Sequence, residues 1–419
     1  MDAPATSHAS PAQPVLPVAA APGSTPSLPA SRHLELPFFA PEHRDLAQGL
    51  AAWTAAQQVD ERDDRAACRE WVRRLGDAGW LRYCVPAHVG GALERLDSCA
   101  LVVLRETLAF YSPLADFAFA MQGLGSGAIT LAGTAEQQAR YLPYVASGHK
   151  IAAFALSEAD AGSDAGAMQT AAVRTGSGWQ VDGSKTWISN GDIADFYVTF
   201  ALTTPGAGTR GITAFVVDAP TAGLDSSEHI ELMAPHPLAS LRFQQCQLPE
   251  GARLGALDGG FKLAMQTLDI FRASVAAAAL GMGRRALAEA VAHARRRQMF
   301  GQRLADFQLT QAKLGEMASL IDSAALLTYR AAWLRDENER AGGGAEGRTE
   351  RTVAAAMAKM AATENAQKVI DMALQMHGGL GVKVGSKVES LYRDIRSLRI
   401  YEGATEVQQL IIGKAMLTS

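Results

Sequence analysis

This sequence predicts a mainly α-helical fold with a central β-domain, on three observations. Helical periods follow a proline-rich opening, closely spaced β-like runs fill the middle, and long proline-free helical stretches end the chain. That order sets expected divisions at 1–33 (a disordered Pro/Ala-rich tail), 34–150 (helical), 151–255 (β-domain) and 256–419 (a four-helix bundle).

Residues 3–31 carry no formal charge and hold seven of the 17 prolines, from Pro4 to Pro29. Such a segment holds no helix and buries little apolar surface. It lacks the basic start and continuous apolar stretch of an export signal. From about 41 to 150, WVRRLGDAGW, LDSCALVVLRETLAFY and TAEQQARYLPYVASG read as helices. Thr134, with Gln137 three residues on, has the form of a capping box. The charge-free stretch 117–135 is nearly long enough to span a bilayer. Its four glycines and its polar residues favour a buried, closely packed helix instead.

The middle section reads as strands: 151–156, 171–175, 178–189, 195–202, 211–219 and 240–248 are rich in β-branched and aromatic residues. Glycine-containing turns separate them, which suggests a small antiparallel barrel or sandwich. Beyond 255, residues 260–299 contain no proline and predict roughly 60 Å of helix. Leu314, Met317, Ile321, Ala324, Thr328 and Ala331 then recur in steps of three and four, the seam of a bundle. A glycine-rich break at 341–347 precedes a helix over about 350–377, with shorter pieces at 385–396 and 405–417.

A net charge of −4 gives no electrostatic case for nucleic acid or an anionic membrane. The four cysteines form no C-x-x-C pair, so no metal is expected and a reducing cytoplasm is the easier home.

Five segments carry candidate chemistry. Leu156–Asp164 (LSEADAGSD) follows a strand; Gly162 allows close backbone approach, and Ser157 and Ser163 offer hydroxyls to an oxygen-rich ligand. Asp182–Gly191 contains Trp187, a core residue or an aromatic wall, with Ser189 able to bond a ring system. Arg297–Gly301, followed by Phe307-Gln308, puts an arginine at a helix end, there to satisfy carbonyls or hold a diphosphate. Gln375–Gly381 surrounds His377 with the glycines of a helix terminus. Arg399–Glu406 places Glu402 before Gly403 between two helical pieces, either solvated or aimed into a cavity.

In this order and spacing the five segments resemble the acyl-CoA dehydrogenase family over about residues 40–419. Ser157–Asp164 is similar to its T/S-E-P-x-x-G-S-D loop, Trp187–Gly191 to W-I-T/S-N-G, and Arg297–Gly301 to R-x-x-F-G. Gln375–Gly379 is similar to Q-x-x-G-G and Tyr401–Gly403 to Y-E-G. The resemblance implies FAD between the β-domain and the bundle, in a homotetramer (a dimer of dimers) whose neighbouring subunit completes the dinucleotide site. It implies that Phe154, Leu156, Ser157, Gly162 and Ser163 line the flavin, with Trp187, Ile188 and Ser189 beside its ring. Arg297, Phe300 and Gln308 would meet the diphosphate and adenosine, with Gln375 and Gly379 opposite; Thr405 and Glu406 would sit near the flavin. Ser163, Asp269, Arg272 and Gly403 would face the substrate.

The implied reaction is α,β-dehydrogenation of an acyl-CoA to the trans-2-enoyl thioester, in which Glu402 takes the α-proton while hydride passes to flavin. An electron-transfer flavoprotein is the implied acceptor. Alternatives are an acyl-CoA oxidase, a dehydrogenase of carrier-protein thioesters, or a non-catalytic scaffold of the same fold; Glu402 and Arg272 argue against the last. Some branches of the family place the base immediately before the arginine of the long helix, where this chain has Phe271. Ala159 replaces the family's proline, and Ala404 its common threonine after Glu-Gly.

Overall fold

The structure, a computed structural model, describes residues 32–344 and 347–418. The expected tail lies outside the described residues except for its last two. Arg32 opens a 3₁₀ turn, Arg32–Glu35, and His33 pairs with Asp322 at 2.6 Å.

Helices α1 (Pro41–Ala55), α2 (Asp64–Asp77), α3 (Ser98–Tyr111), α4 (Pro113–Ala132) and α5 (Ala135–Ala146) come first. Local chemistry sets their starts. Ser112 caps α4 ahead of Pro113, and Thr134 and Gln137 form the predicted box on α5. The apolar run of α4 is buried along nearly its whole length, so it is a core helix. Each fully buried Leu, Ile or Phe there contributes about 1.5–3 kcal/mol.

The β-domain comprises β1 (Ala152–Ala155), β2 (Ala171–Thr175), β3 (Gly178–Ser189), β4 (Phe196–Leu202), β5 (Ile212–Asp218), β6 (Leu224–Ile230), β7 (Leu238–Pro249) and β8 (Arg253–Leu254). The sheet runs β6-β7-β3-β2-β4-β5-β8, with β1 also on β4. Most pairings are antiparallel as expected, but β1 and β2 both run parallel to β4. They lie end to end along one edge of β4: Ala155 pairs with Thr199 and Ala171 with Leu202. The intervening residues 156–170 therefore loop out from that edge. Strand β6 was not anticipated, because its sequence (LDSSEHI) is polar, partly exposed and lacks the alternation of a half-buried strand.

The last section holds α6 (Gly260–Arg296), α7 (Gln308–Arg340), α8 (Arg348–His377), α9 (Lys387–Leu398) and α10 (Thr405–Thr418). A two-stranded hairpin, β9 (Gln298–Met299) and β10 (Gln302–Arg303), joins α6 to α7. The predicted α7 seam is buried at Met317, Ile321, Ala324, Thr328 and Ala331. Helix α6 is apolar and long enough to cross a membrane, yet Ala273–Leu280 are all buried inside the protein. Small residues let α3 come close: a Cβ on Gly281 would sit 2.2 Å from the Glu106 carbonyl oxygen.

Candidate active site

The turn between α9 and α10 carries Glu402 and Gly403, both left-handed, with φ of 51° and 89°. This conformation costs a non-glycine residue free energy and persists where the surroundings enforce it. They do so here. Lys359, wholly buried on α8, donates from Nζ to the Gly403 carbonyl at 2.7 Å, and Gln408 Nε2 donates to it at 2.9 Å. Glu364 accepts from Thr405 Oγ1 at 2.6 Å and from Arg399 Nε at 2.8 Å. The φ of Gly403 disfavours any side chain there, and an added Cβ would also displace Gln408 Nε2, 2.5 Å away.

The held turn sends the Glu402 side chain inward. Its Oε2 is buried and has no hydrogen-bond partner among the described residues. Burial raises the carboxyl's pKa; Arg105, Lys359 and Arg272 pull it back, in that order, and Asp116 pushes it up. Arg105 Nε and Nη2 each donate to Asp116 at 2.8 Å, and Nη1 donates to Ser274 Oγ at 2.9 Å. Arg272 donates from Nη1 to Asp269 at 2.6 Å, while its buried Nε has no partner among the described residues. The Phe271 ring, also buried, lies where Cβ atoms on Gly123 and Gly127 of α4 would come within 2.8 and 3.1 Å.

The loop out of β1 is pinned from below. Glu158 accepts from the Gln169 and Thr170 amides at 2.6 and 3.0 Å and from Lys185 Nζ at 2.8 Å. Lys185 also donates to the Leu156 carbonyl at 3.0 Å; burial lowers its pKa to about 8, with Glu158 opposing. Leu156 and Ile188 are buried, so only their backbones can face a ligand on the loop's outer side. Gly162 and Ser163 are exposed, while Phe154, Ser157 and Ser189 are half-buried. A Cβ on Gly162 would meet nothing within 4 Å, which leaves open space beside the loop.

Thr186, the neighbour of Trp187, donates its amide to the Ser157 carbonyl at 3.0 Å, at the start of the same loop. Lys185 pairs with Leu241 and Ile188 with Ala239, so β3 carries an extra residue between them. This bulge turns the Trp187 indole outward, 57% exposed and with φ at 59°. An exposed indole on a strained bulge, an open glycine and nearby hydroxyls fit the ring of the expected flavin. Trp187→Ala is expected to weaken flavin binding about tenfold. Unchanged flavin affinity on titrating the apoprotein would remove Trp187 from the cofactor face.

Other expected residues lie elsewhere. Arg297, Phe300 and Gln308, at the end of α6, in the hairpin and at the start of α7, are exposed, as are Gln375 and Gly379. His293 and His377, stacked 4.2 Å apart, bring the ends of α6 and α8 to the same end of the bundle. The 24 helical steps from Arg272 to Arg296 span about 36 Å, so this group and Glu402 share no site within one chain. Glu406 is exposed at the start of α10, and the Thr405 hydroxyl is committed to Glu364.

Sequence reasoning missed Arg105, Asp116, Lys359 and the Glu158–Lys185 pair. For the three helical residues the available signal was a charge inside an apolar run, with Arg105 beside Glu106 in LVVLRETLAF and single charges in PLADFAFA and AAAMAKMAA; the Glu158–Lys185 pair carried no such mark.

Three family models match the chain in order. They are described as acyl-CoA dehydrogenase, N-terminal domain (residues 40–149), middle domain (153–246) and C-terminal domain (258–417). Among similar proteins is the 3-(aryl)acrylate reductase of Clostridium sporogenes, 36% identical over 91% of this chain and 100% of its own length. The mitochondrial short-chain specific acyl-CoA dehydrogenase of Homo sapiens is 37% identical, covering 90% of this chain and 88% of its own. Among solved structures, butyryl-CoA dehydrogenase from Megasphaera elsdenii superposes with a TM-score of 0.83 at 31% identity, covering 90% of this chain and 99% of that one.

Proposed function

The chain belongs to the acyl-CoA dehydrogenase family of FAD-dependent oxidoreductases acting on CH–CH groups, and from that premise we propose that Glu402 is its α-proton base. The observation that carries this reading is the buried, unpartnered Oε2 of Glu402. A carboxylate with one oxygen withdrawn from water and from donors has a raised proton affinity, as abstraction from a weakly acidic thioester α-carbon requires. The substrate is the thioester of a short acyl chain and the product the trans-2-enoyl thioester. The flavin, when bound, would accept the hydride that leaves the β-carbon.

This chain's own groups do the rest. The amide of Glu402, in the turn held by Lys359 and Gln408, donates to the thioester carbonyl; a fixed donor of this kind contributes about 3–4 kcal/mol. Phe271, seated on Gly123 and Gly127, walls the acyl chamber and supports the short-chain assignment. Phe271→Ala is expected to extend activity to longer or branched acyl groups. A cleft of about 460 Å³ between α6, α7 and α8 is lined by Asp269, Phe261, Lys262, Arg335 and Arg348, among others. Its cations suit the phosphates of CoA better than the single phosphate of a carrier protein.

Phe154, Leu156, Ser157, Gly162, Ser163, Trp187, Ile188 and Ser189 would hold the flavin. Arg297, Phe300, Gln308, Gln375 and Gly379 would serve a neighbouring subunit's dinucleotide, which calls for a homotetramer. An electron-transfer flavoprotein is the proposed acceptor, and the cytoplasm the proposed location. One similar protein, 35% identical over 89% of this chain and 96% of its own, is subunit CarC of the caffeyl-CoA reductase-Etf complex of Acetobacterium woodii.

The test is anaerobic mixing with short, branched, aromatic and long acyl-CoAs while following oxidised-flavin absorbance. Short acyl-CoAs should bleach it fastest. A purified protein without flavin, or one that no acyl-CoA bleaches, would overturn the reading. Rapid recolouring in air with peroxide formed would move the protein to the oxidases.

A further inference from the structure

Resting on that reading, we propose that Lys359 is a positioning residue for the base: its buried ammonium anchors the Glu402–Gly403 turn through the Gly403 carbonyl and lends Glu402 a compensating charge. Lysine is among the residues least often buried, because an ammonium taken out of water costs several kcal/mol unless it is paired. Lys359 nevertheless has no exposed surface, in the middle of an alanine-rich helix. Its Nζ donates to the carbonyl of the residue that follows the proposed base. A packing role alone would be filled by leucine or methionine at no desolvation cost.

The groups around the pair are few. Glu402 is influenced by Arg105 from α3, Asp116 from α4, Arg272 from α6 and Lys359 from α8. Lys359 is influenced by Glu402, by Arg272, by Glu364 on its own helix and by Glu406 on α10. Arg105 is already matched by Asp116 and Arg272 by Asp269, each with a direct ion pair. Lys359 makes no direct ion pair with a carboxylate among the described residues, which leaves its charge for Glu402. Geometry and charge act together: the bond to Gly403 fixes where the carboxylate sits, and the ammonium offsets part of its burial.

The two contributions separate in two variants of the flavin-loaded enzyme. Lys359→Met removes both donor and charge; Lys359→Gln keeps a donor and removes the charge. Rates of anaerobic flavin reduction by a short acyl-CoA are followed against pH, alongside flavin content. Loss of the cation makes Glu402 harder to ionise, so the acid limb of the profile should move up by about one pH unit in both variants. Lys359→Met should also lose at least about tenfold in rate at its own optimum, and Lys359→Gln less.

If either flavin-loaded variant keeps the wild-type acid limb and optimum rate, the proposal is overturned. Should Lys359→Met fail to hold flavin, Lys359→Gln decides by its acid limb. Glu402→Gln is the control that separates failures. If it reduces flavin at the wild-type rate, the base assignment falls; if it is inactive while Lys359→Met behaves as wild type, only the role of Lys359 falls.

Discussion

Replacing Glu402 with glutamine is expected to slow flavin reduction by acyl-CoA at least about 10³-fold while leaving flavin content unchanged. Glutamine matches the side chain in shape but accepts no proton at neutral pH. The turn that holds it depends on Lys359, Gln408 and Gly403, none of which bonds to the carboxylate in the structure. The wild-type pH profile carries a second signature. Burial raises the Glu402 pKa above its ordinary value of 4.5. Only the ionised form abstracts a proton, so the reduction rate should fall as pH drops through a pKa above the usual carboxylate range. Stopped-flow reduction across pH reads both results. A wild-type acid limb at the ordinary carboxylate value would mean that Glu402 is solvated in the working enzyme.

The second large effect concerns stability. Asp116→Leu is expected to destabilise the fold by about 3–5 kcal/mol, because it strands the Arg105 guanidinium among α3, α4 and α6. Both partners are nearly inaccessible, with side chains 3% and 4% exposed, so no water can replace the lost carboxylate. The double replacement Arg105→Met with Asp116→Leu should recover most of that loss, since a packed apolar pair carries no desolvation cost. Urea midpoints at fixed protein and flavin concentration measure this. If Asp116→Leu unfolds at the wild-type midpoint, the ion pair does not support the domain junction.

Much of the site was legible one segment at a time. The Thr134 cap and the α7 seam are local, and short-range chemistry settles each. The loop after β1 was readable from Gly162 and its serines. Its fastening was not, since Glu158 and Lys185 meet across the sheet from positions 27 residues apart. Trp187 shows where periodicity misleads. Strict alternation from buried Val181 carries Gly183, Lys185 and Trp187 to the same face. One extra residue opposite β7 resets the phase, burying Ile188 and exposing the indole. That slip depends on the partner strand and has no mark in the run GWQVDGSKTWIS itself.

Taken by itself, then, the order of residues determined the helix–sheet–helix plan, the helix starts and the identity of the acid at 402, because propensity, capping and motif spacing act within a few residues of one another. Tertiary structure alone decided that one oxygen of this acid, Oε2, is buried without a donor among the described residues. Its surroundings come from α3, α4, α6 and α8, between 43 and 297 residues away in the chain. A charge's solvation is set by everything within a few ångströms of it, and only the folded chain determines what those neighbours are.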